Sequence, residues 1–259
     1  MHPLGINTQA DVQQLLQTLV SIDDLAEPNA RQWATAAPAQ DSEIRRLEQE
    51  VPQEPVDLSH SLNAATIAAL DALTSTASLL RSDDGCTEVA VRALMRSGLM
   101  GIGRLGYVVL PVTAEERRRN AATVVAREAE SFDRALKAVK NVNALPIEQP
   151  TDAERASLKR QIALHKDAPG FRDGAMIERS AKLIGVEVER QQQDAQGTVV
   201  ADQLSWIWHT ASGSAHGFNW ETRAPNHFVA DLSTVVVAAG WVLDVAERAW
   251  AEPLERDPS

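Results

Sequence analysis

The run from Val89 to Leu110, VAVRALMRSGLMGIGRLGYVVL, decides what the rest of the chain must provide. Val89, Ala93, Ser97 and Met100 recur at helical spacing, with Arg92 and Arg96 one turn apart, so the segment reads as a helix. It is too apolar to lie on a surface, yet Arg92, Arg96 and Arg104 would each disfavour a bilayer centre by roughly 2.5 to 3.5 kcal/mol. The helix therefore belongs inside a soluble protein, and other helices must cover it. Each glycine in a helix interior is about 1 kcal/mol less favourable than alanine. Gly98, Gly101 and Gly106, together with Ala90 and Ser97, thus predict a close neighbour along this helix.

Residues 101–106 spell GIGRLG, the G-x-G-x-x-G spacing of a dinucleotide-binding loop. That loop works because a buried strand ends in a tight turn and the next helix aims its N-terminal amides at the pyrophosphate. Here the order is reversed. A helix comes first, and Tyr107-Val-Val-Leu-Pro111 stops it. Context predicts no bound NAD or FAD.

The remaining pattern is helical almost throughout. SLNAATIAALDALTSTASLL, starting after Asp57, is the first core helix and stops at Ser82-Asp-Asp-Gly85. Thr113-Ala-Glu-Glu116 and Thr151-Asp-Ala-Glu154 are capping boxes, opening helices predicted over 114–142 and to about Lys166. Pro146 and Pro150 punctuate between them, and Ala168-Pro-Gly170 follows. Further helices are expected over 174–192, 199–216 and 232–250, with a looser stretch from Gly217 to Ala230. The expected fold is all-α, an antiparallel bundle of about seven long helices.

Residues 1–56 read differently. Short amphipathic pieces, Val12 to Ile22 and Glu43 to Val51, alternate with Pro28, Pro38, Pro52 and Pro55, so an arm of short helices draped on the bundle is expected. The expected organisation is an arm over 1–56, a bundle over 57–252 and a tail over 253–259. Residues 1–57 hold ten Asp or Glu against Arg31, Arg45 and Arg46, which makes −7 of the chain's net −11. That balance argues against non-specific nucleic-acid binding. The arm reads as a solvated, dispensable element whose deletion leaves intact a dimer formed by the rest, where small-residue surfaces on two helices exceed what one crossing needs. One cysteine, Cys86, excludes an intramolecular disulfide and a cysteine zinc cluster. With no charged-then-apolar leader after Met1, the expected location is the cytoplasm, with no membrane span.

Unusual chemistry collects late in the chain. Five of six tryptophans and three of six histidines fall after residue 200. In LSWIWHTASGSAHGFNW, Ser205, His209, Ser212 and His216 lie at offsets that a helix gathers within roughly a 60° arc, beside Trp208. His209 and His216 stand about 10 Å apart along such a helix, too far to share a metal as an i, i+4 pair does, so no metal site is expected. Ala211-Ser-Gly-Ser-Ala215 lacks the flanking glycines and the preceding strand of a serine-hydrolase elbow. A polar stripe satisfied by its neighbours at a close helix crossing is the plainer reading, with His216 as a core group.

Ser212-Gly-Ser-Ala-His216-Gly217 resembles the Ser-x-x-Ala/Val-His-Gly signature of poorly characterised bacterial all-helical proteins related to the HEPN group. Arg92-Ala-Leu-Met, the apolar helix to Pro111 and the Glu116-Arg117 pair are similar to the same proteins' central region, so the resemblance spans about residues 57–250. It implies a helical bundle that commonly forms a homodimer and names no activity; the expected function is a non-enzymatic one, through protein partners. HEPN ribonucleases carry an arginine four to six residues before the catalytic histidine, and His216 has none there. Arg160 and His165 fit that spacing, but roughly one such match arises by chance from this composition. Arg223-Ala-Pro-Asn-His227 is one residue short. One alternative, a metal-independent ribonuclease acting on RNA, would pair His216 with Arg92 or Arg96 from the buried helix; another is a small-molecule binder in a Trp-lined pocket, with Ser205, His209, Ser212 and Trp208 as candidate binding residues. Buried arginines otherwise require carboxylate partners.

Overall fold

The computed structural model describes residues 4, 6–82, 86–139, 150–165, 168, 170–192, 196–217 and 227–253. Among them the chain is all-helical: α1 (Gln9–Thr35), α2 (Glu43–Glu50), α3 (Leu58–Arg81), α4 (Glu88–Val109), α5 (Ala114–Val139), α6 (Asp152–His165), α7 (Asp173–Gln191), α8 (Gly197–Ala215) and α9 (Phe228–Ala251). The expected continuation of α5 beyond Val139, the Pro146 break, Trp220, Arg223 and the tail after Pro253 lie outside the described residues.

Local chemistry sets the helix starts. The Thr113 hydroxyl accepts from the Glu116 N–H at 3.2 Å, and Thr151 and Glu154 close a full capping box, with the Thr151 N–H donating to Glu154 at 2.7 Å. Asp57 and Thr87 cap α3 and α4 in the same way. Such caps each contribute about 1 kcal/mol.

Helix α4 is the hub, packed against α3, α5, α7, α8 and α9. Its glycines admit these neighbours. A Cβ on Gly101 would lie 2.1 Å from the Ala65 carbonyl oxygen, and one on Gly103 would lie 2.2 Å from Ile177 Cδ1. Gly106 faces Ser180 of α7 and Val242 of α9. GIGRLG is thus helix interior, and its glycines meet protein where a dinucleotide loop would present them to pyrophosphate. A second close crossing joins α7 and α8, where Gly185 and Gly197 each approach the other's carbonyl.

The expectation of short N-terminal helices holds for α2 and is corrected for α1. Helix α1 is one 27-residue helix that runs through Pro28. Proline removes one backbone donor from a helix interior. Here Leu19, Ile22 and Ala26 on one side and Trp33 on the other are buried, so packing holds both halves in line. These residues, with Ile44 and Leu47 of α2, belong to the same buried cluster as Leu70, Met95 and Leu232. Trp33 meets Trp250 edge-on with ring centroids 4.7 Å apart, and Ala39 N–H donates to the Trp250 carbonyl at 2.9 Å. Glu43 of α2 takes hydrogen bonds from Arg46 and, across to α5, from Arg117 at 2.7 Å. Helix α9 is the one described helix long and apolar enough to cross a membrane, and in this fold it packs on α1, α4 and α8.

Candidate functional site

Helices α4, α8 and α9 meet around the two arginines singled out above. Arg92, 5 % exposed, donates from Nε to Glu88 at 2.7 Å and pairs through Nη1 with Asp231 of α9 at 3.6 Å. The same nitrogen approaches the Thr210 hydroxyl of α8 at 3.5 Å. Arg96, one turn on and half-buried, donates from Nε to the Ser212 hydroxyl at 3.1 Å. Its guanidinium lies over the Trp208 ring, 4.8 Å from the centroid. A cation over an indole face contributes roughly 0.5 to 2 kcal/mol, more as water is excluded.

Asp231 is the group that reading the sequence missed. It sits 139 positions from Arg92, so no local spacing links them, but it is a lone carboxylate in the otherwise apolar opening of α9, FVADLSTVVVAAG. A charge in such a position signals a buried partner. Burial pushes its carboxyl above the usual range, against the opposing pull of Arg92 and His227. Burial thus works against the very charge that Arg92 needs, which marks the pair as dependent on tight geometry.

The stripe on α8 divides. Ser212 faces α4, and Trp208 is buried against Arg96. Ser205 is half-buried at the rim. His209 is exposed and turns toward α7, its Nε2 3.4 Å from Glu178. His216 closes α8 as its C-cap, with φ −95° and ψ 2°, and is exposed. The expectation of His216 as a core group is therefore corrected: α8 ends one residue before it, and the residue is exposed. His227 likewise stands exposed at the start of α9.

Chemically, the cluster is a set of closed pairs. Ser212 accepts from Arg96, and a guanidinium has no lone pair with which to take the hydroxyl proton, so this contact does not activate a nucleophile. Among the described residues no three His, Cys, Asp or Glu side chains converge as a metal site would require. Comparison of the chain with protein-family models, with curated proteins and with solved structures returns no match.

Proposed function

We propose that this protein is a non-enzymatic, HEPN-like antiparallel helical bundle, bacterial and cytoplasmic, that forms a homodimer and acts through protein partners. The small-residue surfaces face other helices of the same chain, Gly101 on Ala65 and Ala69, and Gly185 on Gly197. What supports self-association instead is the outer face of α1. Val12, Leu16 and Val20, on successive turns, are 46 %, 59 % and 57 % exposed. An apolar stripe of this kind on a surface helix is a docking feature.

A second copy is the occupant that fits this face. Between Gln9 and Ser21 the only charge is Asp11, and its carboxylate is taken up by the backbone N–H groups of Asn7 and Thr8. Two α1 helices can therefore meet across a two-fold axis without like-charge repulsion. Light scattering is expected to give about twice the 28.1 kDa chain mass, and Leu16→Glu is expected to halve it. A wild-type monomer at high micromolar concentration would refute the proposal.

The second reading, a metal-independent ribonuclease using His216 with Arg92 or Arg96, is favoured by one observation. Arg96 is held by a hydroxyl and a ring instead of a carboxylate, one turn of α8 from the exposed His216. Arg92, by contrast, is already engaged by Glu88 and Asp231. Cleavage of single-stranded RNA in EDTA, lost in His216→Ala and Arg96→Ala, would promote this reading. The expected result is no cleavage by any of the three proteins.

A further inference from the structure

Helices α5 and α7 both pack on α4 but make little contact with each other. At one end a two-pronged ion pair bridges them, Arg127 of α5 donating to Asp173 of α7 at 2.7 and 3.1 Å. Away from that bridge a cleft of about 310 Å³ opens between them. Its floor is Tyr107 and Pro111, and its walls carry Arg119 and Asn120 from α5 and Arg179, Lys182, Leu183 and Val186 from α7.

The charges in this cleft run against the protein as a whole. In a chain of net charge −11, three cations share one small opening with one acid, Glu116. Glu116 is largely committed elsewhere: it accepts from the Thr113 hydroxyl at 3.1 Å in the cap of α5 and reaches Arg119 only at 3.8 Å. Among the described residues Arg179 and Lys182 form no ion pair. Like charges held together without counter-charges repel, and an anion between them relieves that repulsion. Two guanidinium groups are also suited to an oxyanion, since each offers parallel N–H donors.

The rest of the cleft is apolar and fixed. Asn120, buried, donates to the Tyr107 carbonyl at 2.7 Å, and Arg117 donates to the Pro111 carbonyl at 2.7 Å, so both floor residues are pinned. Val186 is 59 % exposed on the wall, an apolar surface left open beside two cations. Small-molecule sites combine such an apolar lining with a few convergent polar groups. The Tyr107 hydroxyl senses the same cations: burial pushes its ionisation up, and Arg179 and Arg119 pull it down.

We propose that this cleft binds a small amphiphilic anion, its oxyanion held by Arg119, Arg179 and Lys182 and its apolar body lying against Leu183 and Val186, above the buried Tyr107. The site is separate from the Arg92 cluster and from the α1 stripe, and it stands or falls without them.

The test uses three probes on the full chain by isothermal calorimetry: phenyl phosphate, which carries both features, inorganic phosphate, which carries the charge alone, and phenol, which carries the ring alone. Phenyl phosphate is expected to bind about tenfold or more tightly than either fragment, because both halves of the cleft are then used. Arg179→Gln with Lys182→Gln, at exposed positions, is expected to weaken phenyl phosphate at least about tenfold while leaving the unfolding midpoint of the unliganded protein unchanged. Val186→Asp is expected to weaken phenyl phosphate more than inorganic phosphate. Absence of phenyl phosphate binding at about 10 mM, equal binding of inorganic phosphate, or unchanged affinity in the double variant would each overturn the proposal.

Discussion

Gly98 and Gly101 lie one turn apart on α4 and face the same helix, α3, yet alanine should act oppositely at the two. A Cβ at Gly98 would sit 3.8 Å from Leu73 Cδ2, an ordinary contact, so Gly98→Ala removes the entropic disadvantage of glycine and is expected to stabilise by about 0.5 to 1 kcal/mol. A Cβ at Gly101 would lie 2.1 Å from the Ala65 carbonyl oxygen and 2.7 Å from Ala69 Cβ. The first obstacle is backbone, which cannot rotate away, so α3 must retreat by about 1 Å and strain of up to about 3 kcal/mol is expected. Set against about 1 kcal/mol of improved helix propensity, Gly101→Ala should lose about 2 kcal/mol. With roughly 2 to 4 °C per kcal/mol for a chain of this size, the two midpoints should separate by about 6 to 12 °C on opposite sides of wild type. Thermal and urea unfolding followed by circular dichroism measure this directly. If Gly101→Ala proves as stable as Gly98→Ala, the close α3–α4 approach is wrong, and with it the account of why this helix carries glycines.

Three further outcomes follow from the packing. Removing residues 1–56 takes Leu19, Ile22, Trp33, Ile44 and Leu47 from the common core, so the truncated chain should lose its cooperative thermal transition, the reverse of what a dispensable arm implies. Arg92→Ala leaves Asp231 buried without its partner and should destabilise by about 3 to 5 kcal/mol, whereas His216→Ala, at an exposed helix end, should change stability by less than about 0.5 kcal/mol; similar losses in urea unfolding would refute the placement of His216. Burial pushes the Glu43 carboxyl up, but hydrogen bonds from Arg46 and Arg117 outweigh it and hold the group below the usual carboxylate range. Its contribution is therefore complete above that range and lost as pH falls through the lowered folded value. Glu43→Gln should cost about 1.5 to 3 kcal/mol at pH 7 and progressively less in acid, and a pH-independent difference would contradict the ion pair.

The helices could be read from the sequence because their signals are local. Asp57, Thr87, Thr113 and Thr151 each stand beside the amides they cap, and the periodicity from Val89 to Leu110 lies in one stretch of chain. Pro28 misled because a proline states only that one donor is missing, whereas the burial of Ile22 and Trp33, which holds α1 together, depends on helices α3 and α9 far along the chain. At the candidate site Arg92 and Arg96 could be identified as buried and needing partners, but not Asp231 or Thr210, which arrive through tertiary packing. His216 was misplaced for a related reason. Helical offsets put it on the Ser212 face, but α8 ends before it, which leaves it at an exposed helix end.

The contact between α1 and α9 has a consequence for biosynthesis. Gln32 of α1 donates to Glu247 of α9 at 2.8 Å across 215 positions of sequence, and Trp33 waits equally long for Trp250. During synthesis α1 emerges long before α9, and one side of it stays uncovered until α9 has been made. An exposed apolar helix held in that state invites aggregation. The acidic residues crowded before Leu58 bear on this interval: a net charge of −7, with nine of its ten carboxylates outside the Gln9–Ser21 face offered for self-association, keeps the segment hydrated while its partner helix is still being made.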